Sequence, residues 1–166
     1  MKKLYVSWND VQRQVQSIIR QMTLDSWKPD YVVGITRGGL VPATLISHYL
    51  QCPMETLQVR INDGVPGECE SNLWMPEDAV AGKKILVVDD LKTTGNTLNW
   101  LITDWSGSVF NGQWDMIWHN NVKFAALYNC AHSNRSIDVD YSAADISNES
   151  GEEVDIVFPW EDFWCR

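Results

Sequence analysis

The stretch Lys84-Ile-Leu-Val-Val-Asp-Asp-Leu-Lys-Thr-Thr-Gly-Asn-Thr97 decides the fold class of this chain. Its apolar run, rich in β-branched residues, predicts a buried strand that ends at Asp89, beside a second carboxylate, Asp90. A turn rich in hydroxyls follows, and a helix over residues 94–105 is predicted to open at Gly95. A buried strand, a polar turn and a helix in this order are typical of an α/β protein.

The sequence on either side continues the same alternation of strands and helices. A capping box from Ser7 to Asp10 and apolar residues at helical spacing predict a first helix over residues 11–22. Residues 62–76 are predicted to form a long loop because glycine, proline and acidic residues are scattered through them. The pattern predicts further strands and one further helix, and therefore a mainly parallel sheet flanked by helices: strands at 31–35, 55–61, 122–128 and 156–158, and a helix at 40–50.

The turn after Asp89 has the features of a sugar-phosphate site. Backbone N–H groups at a helix N-terminus attract an anion, and Gly95 allows the backbone to come close to it. Asp89 and Asp90 supply hard oxygen ligands for Mg²⁺ or acceptors for a ribose diol. Three hydroxyl side chains suited to phosphate oxygens complete the turn: Thr93, Thr94 and Thr97.

Two other interpretations of this turn must be weighed. Response regulators also carry paired acids after a strand, but there the pair lies near the N-terminus and no T-T-G-x-T turn follows it. A purely structural turn is the other alternative, although two adjacent strand-end acids have little structural purpose. A Walker A loop is excluded because the chain has no G-x-x-x-x-G-K-[ST] sequence.

A second anion site is predicted after the strand at 31–35. The Gly38-Gly39 pair lets the backbone bend tightly and present N–H groups, and Arg37 can clamp a phosphate with two parallel hydrogen bonds. In a parallel sheet, ligands bind at the carboxyl ends of the strands. The turns at Arg37 and Asp89 should therefore share one edge and suit a ligand with a monophosphate at one end and a pyrophosphate at the other.

On these residues the chain resembles the type I phosphoribosyltransferases. Residues 87–97 resemble their signature for phosphoribosyl pyrophosphate (PRPP), and residues 36–42 resemble their pyrophosphate loop. Residues 5–8 and 158–160 are similar to the xanthine-guanine branch. The resemblance implies one domain over residues 1–166 with a small C-terminal hood segment. It also implies Mg²⁺-dependent transfer of a 5-phosphoribosyl group from PRPP to a purine or related nitrogen heterocycle.

The resemblance also implies roles for individual residues. Asp89 and Asp90 would hold Mg²⁺ and the ribose hydroxyls, and together with Arg37 they are the expected catalytic residues. The other expected contacts are Gly38 and Gly39 on pyrophosphate, Lys92, Thr93, Thr94, Gly95, Asn96 and Thr97 around the 5-phosphate, and Asp155 and Ile156 at the base.

The acceptor half of the site departs from the family pattern. Purine members often carry Asp where Thr93 stands, Lys where Cys130 stands, and an aromatic residue where Asp155 stands. Trp160 or Trp164 could supply the stacking face instead. Two alternatives therefore stay open: a non-catalytic regulatory protein that binds PRPP or a nucleotide, and a phosphoribosyltransferase whose acceptor is not a purine.

Charge is concentrated at one end of the chain. The net charge is −9, and residues 136–165 contain nine of the 22 acids and none of the 13 bases, which leaves 13 of each sign elsewhere. Such a chain repels nucleic acid, so no nucleic-acid partner is expected. Because the acids fall where the family builds its base pocket, the sequence predicts an acceptor with several N–H donors rather than an anionic base such as orotate.

The ends, cysteines and tryptophans add little chemistry. No signal-peptide core and no apolar run of membrane-spanning length is present, so a cytoplasmic protein without a membrane partner is expected. The four cysteines show no C-x-x-C pair and are expected to be free thiols. The nine tryptophans are expected in the core or at an interface, and the resemblance implies a homo-oligomer, a dimer or a tetramer.

Overall fold

The computed structural model describes residues 2–130, 137–146 and 154–161. Within these ranges the chain forms nine strands and five helices. The strands are β1 Lys2–Tyr5, β2 Tyr31–Thr36, β3 Met54–Gln58, β4 Ile61–Asn62, β5 Val65–Pro66, β6 Ile85–Lys92, β7 Val122–Cys130, β8 Tyr141–Ile146 and β9 Val154–Val157. The helices are α1 Trp8–Leu24, α2 Leu40–Leu50, α3 Trp74–Val80, α4 Asn96–Ser108 and α5 Trp114–Ile117.

Five strands form the central sheet in the order β3-β2-β6-β7-β8, and all four pairings are parallel. This confirms the predicted mainly parallel sheet flanked by helices. From β2 the chain first moves outward to β3, and from β6 it moves outward in the opposite direction to β7 and β8. The strand order therefore reverses between β2 and β6, and ligands of open parallel sheets bind in the crevice at such a point.

Helices cover both faces of the sheet because successive side chains of each buried strand point to opposite faces. On one face, Leu86 and Val88 pack in a core with buried residues of α1 and α2, such as Ile18 and Ile46. On the other face, Val87 packs in a second core with buried residues of α3, α4 and α5. Burial on both faces explains why β2 and β6 begin as unbroken apolar runs.

The first helix begins where the capping box predicts. The Ser7 hydroxyl accepts a hydrogen bond from the Asp10 amide at 3.1 Å, and the Asp10 carboxylate accepts one from the Ser7 amide at 2.9 Å. Five apolar residues at helical spacing are buried on one face of α1, as predicted: Val11, Val15, Ile18, Ile19 and Met22.

A small second sheet joins the two ends of the chain. Strand β1 pairs in parallel with β9, with Leu4 opposite Ile156. After β9 the Trp160 ring stacks on Phe158, with centroids 4.7 Å apart, and contacts Trp8 at 5.9 Å. This unit holds the segment after β9 against the start of α1, in the position expected for a hood.

Several boundaries differ from the sequence predictions. Strand β6 does not end at Asp89 but continues through both acids to Lys92, and α4 opens at Asn96 rather than in the preceding turn. Residues 62–76 are not one long loop, since they contain the turn of the β4–β5 hairpin and the start of α3. Five further elements have no counterpart among the elements predicted from the sequence: β1, β5, β8, α3 and α5.

The positions of the tryptophans agree with the sequence predictions only in part. Trp27, Trp105 and Trp114 are buried in the cores, whereas Trp8 and Trp74 are largely exposed, and Trp164 lies outside the described residues. Three of the cysteines are described, and they are free thiols. No helix within the described ranges is long and apolar enough to span a membrane.

Candidate active site

The two predicted loops meet at the strand-order reversal. A Cβ atom added to Gly38 would overlap the Asp90 carboxylate, and one added to Gly39 would clash with the Val88 carbonyl oxygen. Only glycine allows the β2–α2 loop to lie this close to the end of β6. The Thr36–Arg37 peptide bond in this loop is cis. Residues from two distant parts of the sequence therefore form one continuous surface.

A polar cavity of about 600 Å³ opens between these loops. The exposed Arg37 side chain is its cation, and carboxylates of Asp89, Asp90 and Glu161 lie on its other walls. The opposed charges suit a ligand that is anionic at one end and hydroxyl-rich or metal-bound at the other. The other lining residues are Ile35, Thr36, Gly38, Val59 and Trp160.

The two adjacent carboxylates sit in an unfavourable environment for charge. Burial raises the pKa of Asp89 well above its usual range, and the neighbouring Asp90 charge raises it further. Burial also raises the pKa of Asp90, and the Glu161 carboxylate adds to that rise. The Asp89 side chain accepts a hydrogen bond from the Asp90 amide at 2.9 Å, which fixes its orientation. A cation or a set of hydroxyl donors would relieve this repulsion.

The oxygen atoms of Asp89 and Asp90 suit Mg²⁺ only if a bound ligand supplies further oxygen atoms. Within the three described ranges, no three histidine, cysteine or carboxylate side chains converge to hold a metal ion. Asp89 and Asp90 nevertheless supply oxygen donors, and Mg²⁺ is usually bound through one or two carboxylates together with waters and substrate phosphates. The pair therefore suits a metal that arrives with a phosphorylated substrate.

The turn after β6 is the other place where the sequence predicts an anion site. Thr93 and Thr94 are exposed, Gly95 adopts a left-handed conformation with φ of 79°, and the Asn96 amide donates to the Thr94 hydroxyl at 3.3 Å. Helix α4 begins here, so its unpaired N–H groups face the turn. The turn lines a small pocket with Asp89, Lys92 and residues 94–97 among its walls. The geometry is that of a phosphate-binding helix start.

Lys92 differs from the other residues predicted at this turn. Its side chain is 4% exposed, and within the described ranges it is the one charged residue buried to this degree. It lies at the end of β6, where its register partner on β7 is Asn129. A buried lysine beside the turn adds positive charge to this part of the sheet edge.

The β4–β5 hairpin leans over the same turn. Asp63 and Gly64 form its tip, both with positive φ, and a Cβ on Gly64 would lie 3.7 Å from the Asn96 side-chain nitrogen. The Asp-Gly pair favours the tight turn that joins two antiparallel strands. Residues 62–76, predicted to be a long loop, therefore include a hairpin turn whose tip lies beside the turn after β6.

The structure does not bring all of the predicted acceptor residues to the cavity. Asp155 lies on β9 opposite Lys3, and Ile156 packs in the core on the α1 face. Neither lines the cavity, whereas Trp160 does. The sequence analysis missed Glu161, although its position two residues after a proline in the acidic segment could have drawn attention to it. The Glu161 carboxylate accepts a hydrogen bond from the Phe158 amide at 2.9 Å, which closes the turn.

The fold and the site thus define an α/β protein with two candidate anion sites and a paired carboxylate at one edge of a parallel sheet. The family model of the phosphoribosyl transferase domain matches residues 5–103, which is more than half of the chain. The chain belongs to this family.

Individual relatives agree with the family match. The chain is 35% identical over 105 residues to a xanthine-guanine phosphoribosyltransferase of Cereibacter sphaeroides, and 32% identical over 104 residues to one of Idiomarina loihiensis. These alignments cover 58% and 60% of this chain and 62% and 63% of the relatives, so the chain spans about three fifths of their length.

Solved structures extend the likeness over almost the whole chain. A purine phosphoribosyltransferase from Pyrococcus horikoshii superimposes with a TM-score of 0.70 and 26% sequence identity, covering 97% of this chain and 95% of that one. The type I phosphoribosyltransferase fold therefore includes β7, β8 and β9, which lie beyond the residues matched by the family model.

Proposed function

We propose that this protein transfers the 5-phosphoribosyl group of PRPP to a ring nitrogen of a purine base and releases pyrophosphate, with Mg²⁺ as cofactor. The observation that carries the proposal is the contact between the Gly38–Gly39 loop and Asp90. It joins an anion loop, a paired carboxylate and a phosphate turn in one surface. The names of the relatives, all purine or xanthine-guanine phosphoribosyltransferases, support a purine acceptor.

The substrate would be held at three points. The 5-phosphate accepts hydrogen bonds from the N–H groups and hydroxyls of the turn at 93–97, where the dipole of α4 favours negative charge. The ribose hydroxyls donate to Asp89 and Asp90. Arg37 and the backbone N–H groups of Gly38 and Gly39 face the pyrophosphate. This binding mode fixes the sugar across the crevice between β2 and β6.

The reaction breaks the bond between C1 of the ribose and the pyrophosphate oxygen, which leaves with the bonding electron pair. Arg37 stabilises the negative charge that grows on this leaving group. The carboxylates of Asp89 and Asp90 stabilise the positive charge that grows on the sugar. Mg²⁺, when bound through Asp89 and Asp90, would act as a Lewis acid on the pyrophosphate. The ring nitrogen of the acceptor then forms the new bond to C1.

The acceptor ring would lie against the Trp160 side of the cavity. Trp160 is fixed by its stack on Phe158 and lines the cavity beside Asp90, so it can offer an aromatic face to a flat heterocycle. Thr93 cannot act as a general base near neutral pH. The proton of the acceptor nitrogen is therefore lost to solvent in this mechanism, and acceptors with acidic ring N–H groups react best.

Release of pyrophosphate tests the proposal. The purified full chain is given PRPP, Mg²⁺ and each of adenine, hypoxanthine, guanine and xanthine. We expect turnover with at least one base, and Asp90→Asn should lower it by about 100-fold because a transition-state contact is lost. Asp115→Asn, at an exposed residue of α5, is the matched control and should leave the rate unchanged. No turnover with any purine would contradict the proposal.

One set of observations favours a second function, binding of PRPP without transfer. Cys130 is a buried thiol whose pKa is raised by burial, and Thr93 supplies no base, so neither position offers the acid or base group that purine members often carry there. Under this alternative, calorimetry detects PRPP binding that depends on Mg²⁺, while no pyrophosphate is released in the assay.

We also propose that the protein forms a homo-oligomer, which sedimentation measures directly.

A further inference from the structure

The small sheet at the ends of the chain leaves one strand with an open side. Strand β1 pairs with β9, and no other described strand lies on the second side of β1. All four residues of β1 are exposed. A row of unpaired N–H and C=O groups at such an edge is a template on which another strand can add. The open side of β1 is therefore a candidate interaction surface.

The pairing of β1 with β9 shows which backbone groups face the open side. The Val6 amide donates to the Val157 carbonyl oxygen at 2.9 Å, so the backbone groups of Val6 point toward β9. Along a strand, the backbone groups of successive residues point alternately to one neighbour and to the other. Those of Leu4 therefore also point toward β9, and those of Lys3 and Tyr5 point away. The open side presents two N–H groups and two C=O groups, all from Lys3 and Tyr5.

The edge of the central sheet at β3 differs from the open side of β1. The Gln58 amide, at the end of β3, donates to the Glu70 carboxylate at 3.1 Å, and the Glu70 amide donates to the Gln58 carbonyl oxygen at 2.7 Å. The backbone groups at the end of β3 are thus already paired within the chain. Among the described residues, no such contact covers Lys3 or Tyr5 on β1.

The sequence of β1 is complementary to itself in one antiparallel register. If Leu4 lies opposite the partner's Leu4 on a twofold axis, each Lys3 lies opposite the partner's Tyr5. Lys3 and Tyr5 then exchange both of their backbone hydrogen bonds, and the axis produces this pair twice. The charges also fit, because each lysine lies beside a tyrosine ring rather than beside the other lysine. Within the chain, Lys3 lies opposite Asp155 on β9, which offsets its charge.

We propose that β1 pairs with β1 of a second copy of this chain, so that one sheet of four strands in the order β9-β1-β1-β9 joins the two copies. The inference rests on the homo-oligomer proposed above and names its interface. Large apolar side chains at this end of the chain are exposed and would extend the contact, since Leu4, Tyr5 and Trp8 are 38%, 54% and 57% exposed. Trp8 also contacts Trp160, so this interface lies beside the hood.

Sedimentation of the full chain over a range of protein concentrations tests the interface. We expect an assembly whose mass halves in Leu4→Lys, with an apparent dissociation constant raised by about tenfold or more, because two like charges then lie opposite each other on the axis. Leu24→Lys, at an exposed leucine of α1, is the matched control and should keep the mass of the wild type.

Mixing two variants tests whether the contact is symmetric. Leu4→Glu should halve the mass in the same way as Leu4→Lys, and a mixture of the two variants should restore the assembly because opposite charges then meet on the axis. Restoration requires that the same residue of both copies lies at the contact. An assembly that stays dissociated in the mixture would overturn the proposed register.

Hydrogen exchange of the Lys3 and Tyr5 amides gives a second measurement, which needs no variant. Their protection should rise with the concentration of the wild-type protein. Protection in a monomer at every concentration would mean that another segment of the same chain covers β1, and it would overturn the proposal, as would a monomer with unprotected amides. A stable oligomer that Leu4→Lys does not change would keep the homo-oligomer and overturn this interface. None of these measurements needs turnover, so the pyrophosphate assay judges the transferase function separately.

Discussion

Gly38 is the residue through which the pyrophosphate loop touches the carboxylate pair. Because a Cβ at this position would overlap the Asp90 carboxylate, Gly38→Ala must displace either the loop or Asp90. We expect the variant to fold and its KM for PRPP to rise by about tenfold or more, since both proposed contacts with PRPP would be misaligned. Initial rates of pyrophosphate release over a range of PRPP concentrations measure the change.

Gly107→Ala is the matched control for Gly38→Ala. Nothing lies within 4 Å of a Cβ at Gly107, and this residue is in α4, where alanine is the better helix former. The control should gain about 0.5–1 kcal/mol in the free energy of unfolding and keep the KM of the wild type. An unchanged KM in Gly38→Ala would show that the contact with Asp90 does not position the loop.

Asp89 precedes Asp90 on β6, and we expect it to lower the stability of the protein while it contributes to the proposed activity. Burial and the Asp90 charge raise the pKa of Asp89, so its ionised form opposes folding at neutral pH. Asp89→Asn keeps an oxygen that can accept the Asp90 amide and removes the charge. We expect the melting temperature to stay level or rise while pyrophosphate release falls by about 100-fold. A clear loss of melting temperature would indicate that Asp89 has a structural role instead.

His119 lies at the opposite end of the sheet and is expected to make stability depend on pH. Its Nδ1 atom lies 3.0 Å from the Asp140 carboxylate, and this hydrogen bond raises the pKa of His119. A raised pKa in the folded state means that the stabilisation is complete below the unfolded pKa and is lost as pH rises through the folded value. The contribution therefore disappears on the alkaline side of about pH 6.5.

Thermal melts of wild type and His119→Asn from about pH 5.5 to pH 8.5 measure this contribution. Asparagine suits the site because His119 has φ of 62° and asparagine tolerates the left-handed region. The variant should be less stable at the acid end and should approach the wild type at the alkaline end. A constant difference for His119→Asn would contradict the role of the charged pair.

Among the elements, α1 offers the cleanest test of local sequence signals. Its start depends on the reciprocal hydrogen bonds between Ser7 and Asp10. Ser7→Ala should lower the free energy of unfolding by about 1 kcal/mol because an N-terminal amide of the helix loses its acceptor. Urea denaturation measures the change, and Ser106→Ala, within α4, is the control that should not be destabilised. Equal effects of the two substitutions would mean that the cap contributes nothing specific.

The accuracy of the sequence predictions varies among elements for physical reasons. β2, β6 and β7 could be predicted because burial on both faces leaves unbroken apolar runs. Among the described strands, β1 pairs only with β9, from the other end of the chain, and it is exposed along its length, so its pattern has no local signal, whereas the apolar residues of β9 allowed a strand to be predicted there. The end of β6 was misplaced because its pairing with β7 continues past the acids to Lys92.

The two halves of the candidate site also differ in how well they could be predicted from the sequence. The glycines, threonines and paired acids of the PRPP half lie on two continuous stretches, and the chemistry of each stretch can be read from its residue types. The residues proposed to face the acceptor lie in the segment after β9, which is positioned through the pairing of β9 with β1. Trp160 and Glu161 reach the cavity through the turn that follows β9, whereas Asp155 and Ile156 do not. Spacing along the chain could not show which of these side chains would line the cavity.

At the scale of the whole molecule, the net charge of −9 opposes the arrival of an anionic substrate. Under the proposed function this long-range field repels PRPP, and local groups such as Arg37 and the start of α4 would supply the attraction. Salt screens the repulsion between distant exposed charges more than it screens contacts inside the cavity. We therefore expect the association rate of PRPP to rise as KCl increases from about 20 to 200 mM, the opposite of electrostatic steering.

Stopped-flow tryptophan fluorescence measures this rate, since Trp160 lies on the cavity wall. An uncharged osmolyte at matched osmolality is the control and should leave the rate unchanged. Neutralising three exposed acids outside the cavity lining should flatten the salt dependence, because it removes repulsion without changing the site: Glu77, Asp115 and Asp138, each changed to the amide. An association rate that falls with salt would mean that the local positive charge at the two candidate anion sites dominates the field of the molecule. The acidic segment would then have no effect on the rate at which PRPP binds.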